Sequence, residues 1–253
     1  MRISRSLVCL VWLTVPGLSA AQTVSLAPSV IELNGKYGQS TTQTLRMSNA
    51  TGLALTFDLH AQDVVVVGGK RVFVPAGDVA HSIAATAVFV PKTVTIPAGE
   101  SRAVTLTVTV PPLAGSRAIV ALFKGTTKIL KGKSASTVSL GTLLTFTLST
   151  DHSLAASDLS VSPQSETRNA AFEITFTNDG GEPATPRGVA VILNASGAII
   201  GRATFEPLRV LPGERLTFTA GYPGELKDGT YRVVSTFEFA GKALTRTAQL
   251  VVK

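Results

Sequence analysis

Only one cysteine, Cys9, and one tryptophan, Trp12, occur in the 253 residues, and both fall within the first 21. A chain that loses that segment can form no disulfide and offers no thiol nucleophile, so packing alone must stabilise whatever it folds into. Aromatic residues make up 6% and charged residues 15%, with a formal net charge of +7. A modest basic excess with so few aromatics is not the footprint of a nucleic-acid binder. No run approaches the roughly 20 continuous apolar residues of a membrane-spanning helix. The three histidines, His60, His81 and His152, have no metal-ligand spacing. There is no Gly-x-Ser-x-Gly elbow, and Ala114-Gly-Ser-Arg117 reads as a turn before a strand. Gly68-Gly-Lys70 lacks the remaining residues of a phosphate loop. No metal, no cofactor and no catalytic constellation follows from these residues. A hydrolase site assembled across distant loops stays as a third functional reading.

The N-terminus carries what the rest lacks. Arg2 and Arg5 precede an apolar run at 7–15, which Pro16 and Gly17 end before it can span a bilayer. Small residues at Ser19 and Ala21 suit signal peptidase, so the expected cut precedes Gln22 and the mature protein is expected to be exported.

Downstream, short period-two runs rich in Val, Thr, Leu and Phe recur between Gly, Pro and Asn signals. Clear cases are 42–48, 102–110, 171–177, 189–193, 216–220, 230–239 and 243–252. Residues 64–75 read as a hairpin turning at Gly68-Gly69, either completing a sheet edge or projecting as a partner surface. The chain also repeats itself. Thr44-Leu-Arg-Met-Ser-Asn49 is matched by Glu173-Ile-Thr-Phe-Thr-Asn178, and the Pro97-Ala-Gly-Glu100 turn by Leu211-Pro-Gly-Glu214. Asn49 to Glu100 spans 51 positions and Asn178 to Glu214 only 36, which places about 15 extra residues in the first unit, between 64 and 86. The expected organisation is all-β: a signal peptide at 1–21, a β-sandwich at 22–150, a linker at 151–157 and a second sandwich at 158–253. Asn49-Ala-Thr51 and Asn194-Ala-Ser196 match the glycosylation sequon but read as turns.

Three segments in order resemble the immunoglobulin-like first domain of periplasmic pilus chaperones: 24–35 their first strand, Leu45-Arg-Met-Ser-Asn49 the strand ending at their Asn turn, and 91–110 their Pro-Gly turn and following strand. The resemblance covers roughly 24–149 and is echoed in the second unit, so it implies two tandem immunoglobulin-like antiparallel β-sandwich domains. It also implies a periplasmic, non-enzymatic, chaperone-like protein in pilus assembly. Its partner would be a secreted or envelope protein of pilus-subunit type, bound as an extended segment by β-strand addition.

The sequence departs from the family at the carboxylate anchor. Ser29 stands where the family has an arginine, and no lysine lies within 137–149. What survives is the alternation of Val138, Leu140, Leu144, Phe146 and Leu148, after a loop bearing Lys124, Lys128 and Lys131. Those apolar residues are either the face offered to a partner or an ordinary core face; the lysines suit an exposed edge in both cases. A structural or adhesive envelope module that recognises polymer or glycan is the alternative function.

Overall fold

A computed structural model of the chain describes residues 23–131, 134–165 and 167–253. The expected signal peptide, and with it the cleavage site, lies outside the described residues. The first run of strands is β1 (Val24–Ala27), β2 (Val30–Asn34), β3 (Ser40–Asn49), β4 (Leu55–Val67), β5 (Lys70–Pro75), β6 (Val88–Val90), β7 (Thr93–Ile96), β8 (Ser101–Thr109), β9 (Ala118–Gly125), β10 (Ile129–Lys131), β11 (Ser134–Ser136) and β12 (Ser139–Thr147). The second is β13 (Leu154–Ala156), β14 (Ser160–Ser162), β15 (Ala170–Asn178), β16 (Arg187–Leu193), β17 (Ile199–Thr204), β18 (Arg215–Tyr222), β19 (Gly229–Phe239) and β20 (Lys242–Val252). Among the described residues, no helix is long and apolar enough to cross a membrane.

These strands form two tandem immunoglobulin-like sandwiches. In the first, β1-β3-β8-β6 faces β2-β12-β9-β4-β5, with β7 paired to β4; in the second, β13 and β14 flank β15-β18 opposite β17-β16-β19-β20. The threonine alternation becomes a hydroxyl ladder on the solvent side, where Ser40 pairs with Thr109, Thr42 with Thr107 and Ser48 with Ser101 across β3 and β8. The other face of β3 supplies Leu45 and Met47 to the core. Alternation therefore stabilises twice, through cross-strand polar pairs outside and apolar burial inside.

Three details differ from the sequence reading. The first strand is two: β1 pairs antiparallel with β3, then the chain crosses at Pro28-Ser29 and β2 runs parallel to β12 in the opposite sheet. Pro28 brings no N–H to a ladder, which suits it to the crossing point. The stretch read as a linker, 151–157, contains β13, which pairs with β15 and buries Leu154. The hairpin is as expected, with both turn glycines at positive φ (58° and 78°), but its tip is docked: the Gly69 carbonyl accepts the Arg215 amide.

Each sandwich has its own core. Phe57, Phe123 and Phe146 lie in the first; Phe176, Phe205, Phe218 and Phe237 form the second, with Phe176 edge-on to Phe218 and Phe237 at centroid distances of 5.2 and 4.9 Å. The second core also contains the buried Ser235 hydroxyl, which finds no hydrogen-bond partner among the described residues. Ser235→Ala is expected to raise stability by about 1 kcal/mol, because it removes an unsatisfied buried hydroxyl at little packing cost. Urea unfolding reads the change, and a fall in midpoint would show that Ser235 is satisfied in solution.

Candidate partner-binding site

The predicted partner strand, β12, lies between β9 and β2. Pairing with β9 covers Ser139 to Thr145, whereas β2 begins opposite Leu143, so residues 139–142 have no paired strand on their second side among the described residues. The Leu143 amide donates to the Ser29 carbonyl at 3.0 Å, which fixes the direction: the main-chain groups of Leu143, and by alternation those of Gly141 and Ser139, point toward β2 and the open edge beyond its start.

The apolar alternation belongs to the core. Leu144 and Phe146 are 0% and 1% exposed and pack among Leu45, Phe57 and Phe123, with Leu140 and Leu148 against the same cluster. Of the two readings of this alternation, the donated face and the core face, the core face is the one these side chains occupy here. Val138 is half-buried beside Gly125, where its carbonyl lies close to the glycine and leaves no space for a Cβ. Lys124 is exposed and paired across from Ser139; Lys128 is exposed in the following loop, and the side chain of Lys131 lies outside the described residues.

Below the open edge, the outer face of β2-β12-β9-β4-β5 meets the second sandwich. Leu211 packs against Val64, Ala118 and Val120, with Val66 and Leu143 beside them. Three ion pairs surround this contact among the described residues: Arg71 with Glu214 at 2.6 Å, Arg117 with Glu182 at 3.4 Å and Arg209 with Glu32 at 3.0 Å. Arg71 also donates to the Arg209 carbonyl. Glu182 further accepts the Leu148 amide and the Ser149 hydroxyl, both at 3.0 Å. Inside the sandwich, buried Asp63 holds this end of the sheet together by accepting from Ser82, Ser116 and the Ala84 amide.

Sequence reasoning missed Arg209. It reaches across from the second sandwich to donate to Thr145 and Thr147 on β12 and to Thr185, so a cation does stand beside β12, supplied by the other sandwich. Burial pulls its pKa below the ordinary arginine value, while Glu32 and Glu182 act in the opposite direction. A lone arginine between Leu208 and Val210 was the available signal. Ser29, which stands where the family has an arginine, meets β12 through its carbonyl. Among the described residues, no three His, Cys, Asp or Glu side chains gather as metal ligands.

No family model matches the chain, and no curated protein matches it. Among solved structures, it is similar to a chain of the CsuC-CsuE chaperone-tip adhesion subunit pre-assembly complex from the archaic chaperone-usher Csu pili of Acinetobacter baumannii, at 12% identity and a TM-score of 0.46, over 89% of this chain and 97% of that one. The class 5 fimbriae chaperone CfaA is similar at 12% identity and a TM-score of 0.45, over 89% of this chain and 98% of that one. A chain from the Salmonella enterica SafA pilin in complex with the SafB chaperone is similar at 14% identity and a TM-score of 0.43, over 92% and 98%.

Proposed function

We propose that this chain is a non-enzymatic periplasmic protein that holds an extended segment of an envelope or pilus-type partner by β-strand addition at the open edge of β12. The observation that carries the reading is the mismatch between the two neighbours of β12: β9 pairs along Ser139 to Thr145, while β2 begins only opposite Leu143. The Pro28-Ser29 crossing covers Thr142, whose hydroxyl donates to the Pro28 carbonyl at 2.8 Å; beyond it an incoming strand would meet the outward main-chain groups of Ser139 and Gly141, and main-chain bonds of that kind supply affinity without needing the buried Leu144 and Phe146. Gly141 suits such an approach, since a Cβ there would fall 2.7 Å from Val120 Cγ2 and crowd the sheet face. Lys124 and Lys128 are exposed on the β9 side of β12, away from that edge.

The test is a photo-crosslinking residue at Ser139 in the cells that make the protein, followed by sequencing of the captured segment and titration of that peptide. Ser139→Pro removes one outward N–H, and about tenfold weaker binding is expected with thermal unfolding unchanged. Binding of the peptide by the proline variant as tightly as by the parent would overturn the reading.

A further inference from the structure

The repeat seen in sequence extends to its hydrogen bonds. In the first sandwich, the Asn49 amide donates to the Glu100 carbonyl, the Gly99 amide to the Asn49 carbonyl, and Asn49 Nδ2 to the carbonyls of Leu53 and Ile96. In the second, Asn178 does the same with Glu214, Gly213, Glu182 and Val210. Leu53 thus corresponds to Glu182, Pro97 to Leu211 and Glu100 to Glu214. These turns form one pole of each sandwich.

The two poles have different surroundings. The second sandwich's pole is seated on the outer face of the first, where Leu211 meets Val64 and Val120 and Glu214 meets Arg71. Among the described residues the first sandwich's own pole is bare: Leu53 is 52% exposed, and Glu100, 47% exposed, pairs with Arg102 two positions away.

The receiving face is also repeated. The order β5-β4-β9-β12 in the first sandwich is the order β17-β16-β19-β20 in the second. On the first, Arg71 of β5 stands opposite outward Val66 of β4. On the second, Arg202 of β17 stands opposite Val191 of β16, with Val189 and Val234 on the same outward side, none of the three belonging to the core. This second face carries the same chemistry, an aliphatic patch with an arginine on the flanking strand, and no segment of the chain is seated on it among the described residues.

We infer that the outer face of β17-β16-β19 receives the bare pole of a second copy of this chain, with Pro97 on the valines and Glu100 on Arg202. The junction between the two sandwiches is then the internal example of a contact that also joins molecules. Exchanging the exposed Glu100–Arg102 pair for Glu100–Arg202 costs little, since exposed pairs of this kind contribute under about 1 kcal/mol. Pole and face are different surfaces, so the contact is heterologous: each added copy leaves one pole and one face free, and association continues into a string of copies.

Sedimentation velocity of the full chain from micromolar to millimolar concentration tests this. A ladder of growing species is expected. Arg202→Glu and Glu100→Arg should each weaken association by about tenfold or more, with circular dichroism unchanged, because each sets like charges together. The variant carrying both changes should recover association, since every junction again pairs opposite charges. A monomer at every concentration, a closed dimer, or association indifferent to both substitutions would overturn the inference.

Discussion

Phe146→Ala should cost about 3–5 kcal/mol, and Leu144→Ala about 2–5, because each empties a site that the surrounding sandwich fills. Both side chains are fully enclosed, with Phe146 1% and Leu144 0% exposed, among side chains from both sheets of the first sandwich. Losses of that size take up much of the roughly 5–15 kcal/mol by which a domain is stable. Urea unfolding followed by circular dichroism gives the magnitude. Amide exchange locates it, with protection expected to fall in β3, β4, β9 and β12 and to survive in β15, β18 and β19, whose Phe176, Phe218 and Phe237 belong to a separate core. If these residues were instead kept for a partner, truncation would leave the free chain's midpoint where it was and abolish only binding.

That contrast marks where the sequence stops being legible. Period-two alternation establishes that Leu140, Leu144, Phe146 and Leu148 share one face; it does not say whether the face meets the protein's own core or a partner, because burial looks the same to the pattern in both cases. The strands themselves were readable, since their threonines and valines follow the pleat, and so was the hairpin turn at Gly68-Gly69. The Asn and Gly-Glu turns were readable as a repeat because each performs a local task with local bonds. Arg209, Glu182 and Glu214 were not, since what makes them important is contact across the chain. Arg71 reaches Glu214 over 143 positions, and no window of sequence carries that information. The stretch at 151–157 was misread for the same reason: Leu154 and the alanines beside it look like a spacer until β15 is alongside to pair with them.

Glu214 and its counterpart Glu100 give the second large prediction, with its control built into the repeat. Both follow the positive-φ glycine of equivalent turns and donate the same main-chain bond to their Leu211 or Pro97 carbonyl. Their side chains differ in surroundings. Glu100 is 47% exposed beside Arg102, whereas Glu214 is 2% exposed, accepts Arg71 Nε at 2.6 Å and Nη2 at 3.0 Å, and accepts the Leu211 amide at 2.8 Å. Glu214→Ala strips a buried amide of its acceptor and leaves a guanidinium facing an apolar patch, a change that costs about 3–5 kcal/mol when one partner of a buried pair is removed. Arg71 retains 27% exposure and turns partly to water, which sets the expectation at the lower end of that range. Glu100→Ala should cost about 0.5 kcal/mol or less, as exposed pairs do. Adding Arg71→Ala completes a double-mutant cycle, with a coupling to Glu214 of about 1–3 kcal/mol and none to Glu100. The loss should also loosen the junction, because Leu211, Arg71 and the Gly69 carbonyl help seat the second sandwich on the first beside the Arg117–Glu182 and Arg209–Glu32 pairs; small-angle scattering of Glu214→Ala should show a broadened distribution of inter-sandwich distances while Glu100→Ala keeps the parent profile. Equal costs at the two glutamates would mean that the turn, common to both copies, carries the stability and the buried ion pair adds nothing.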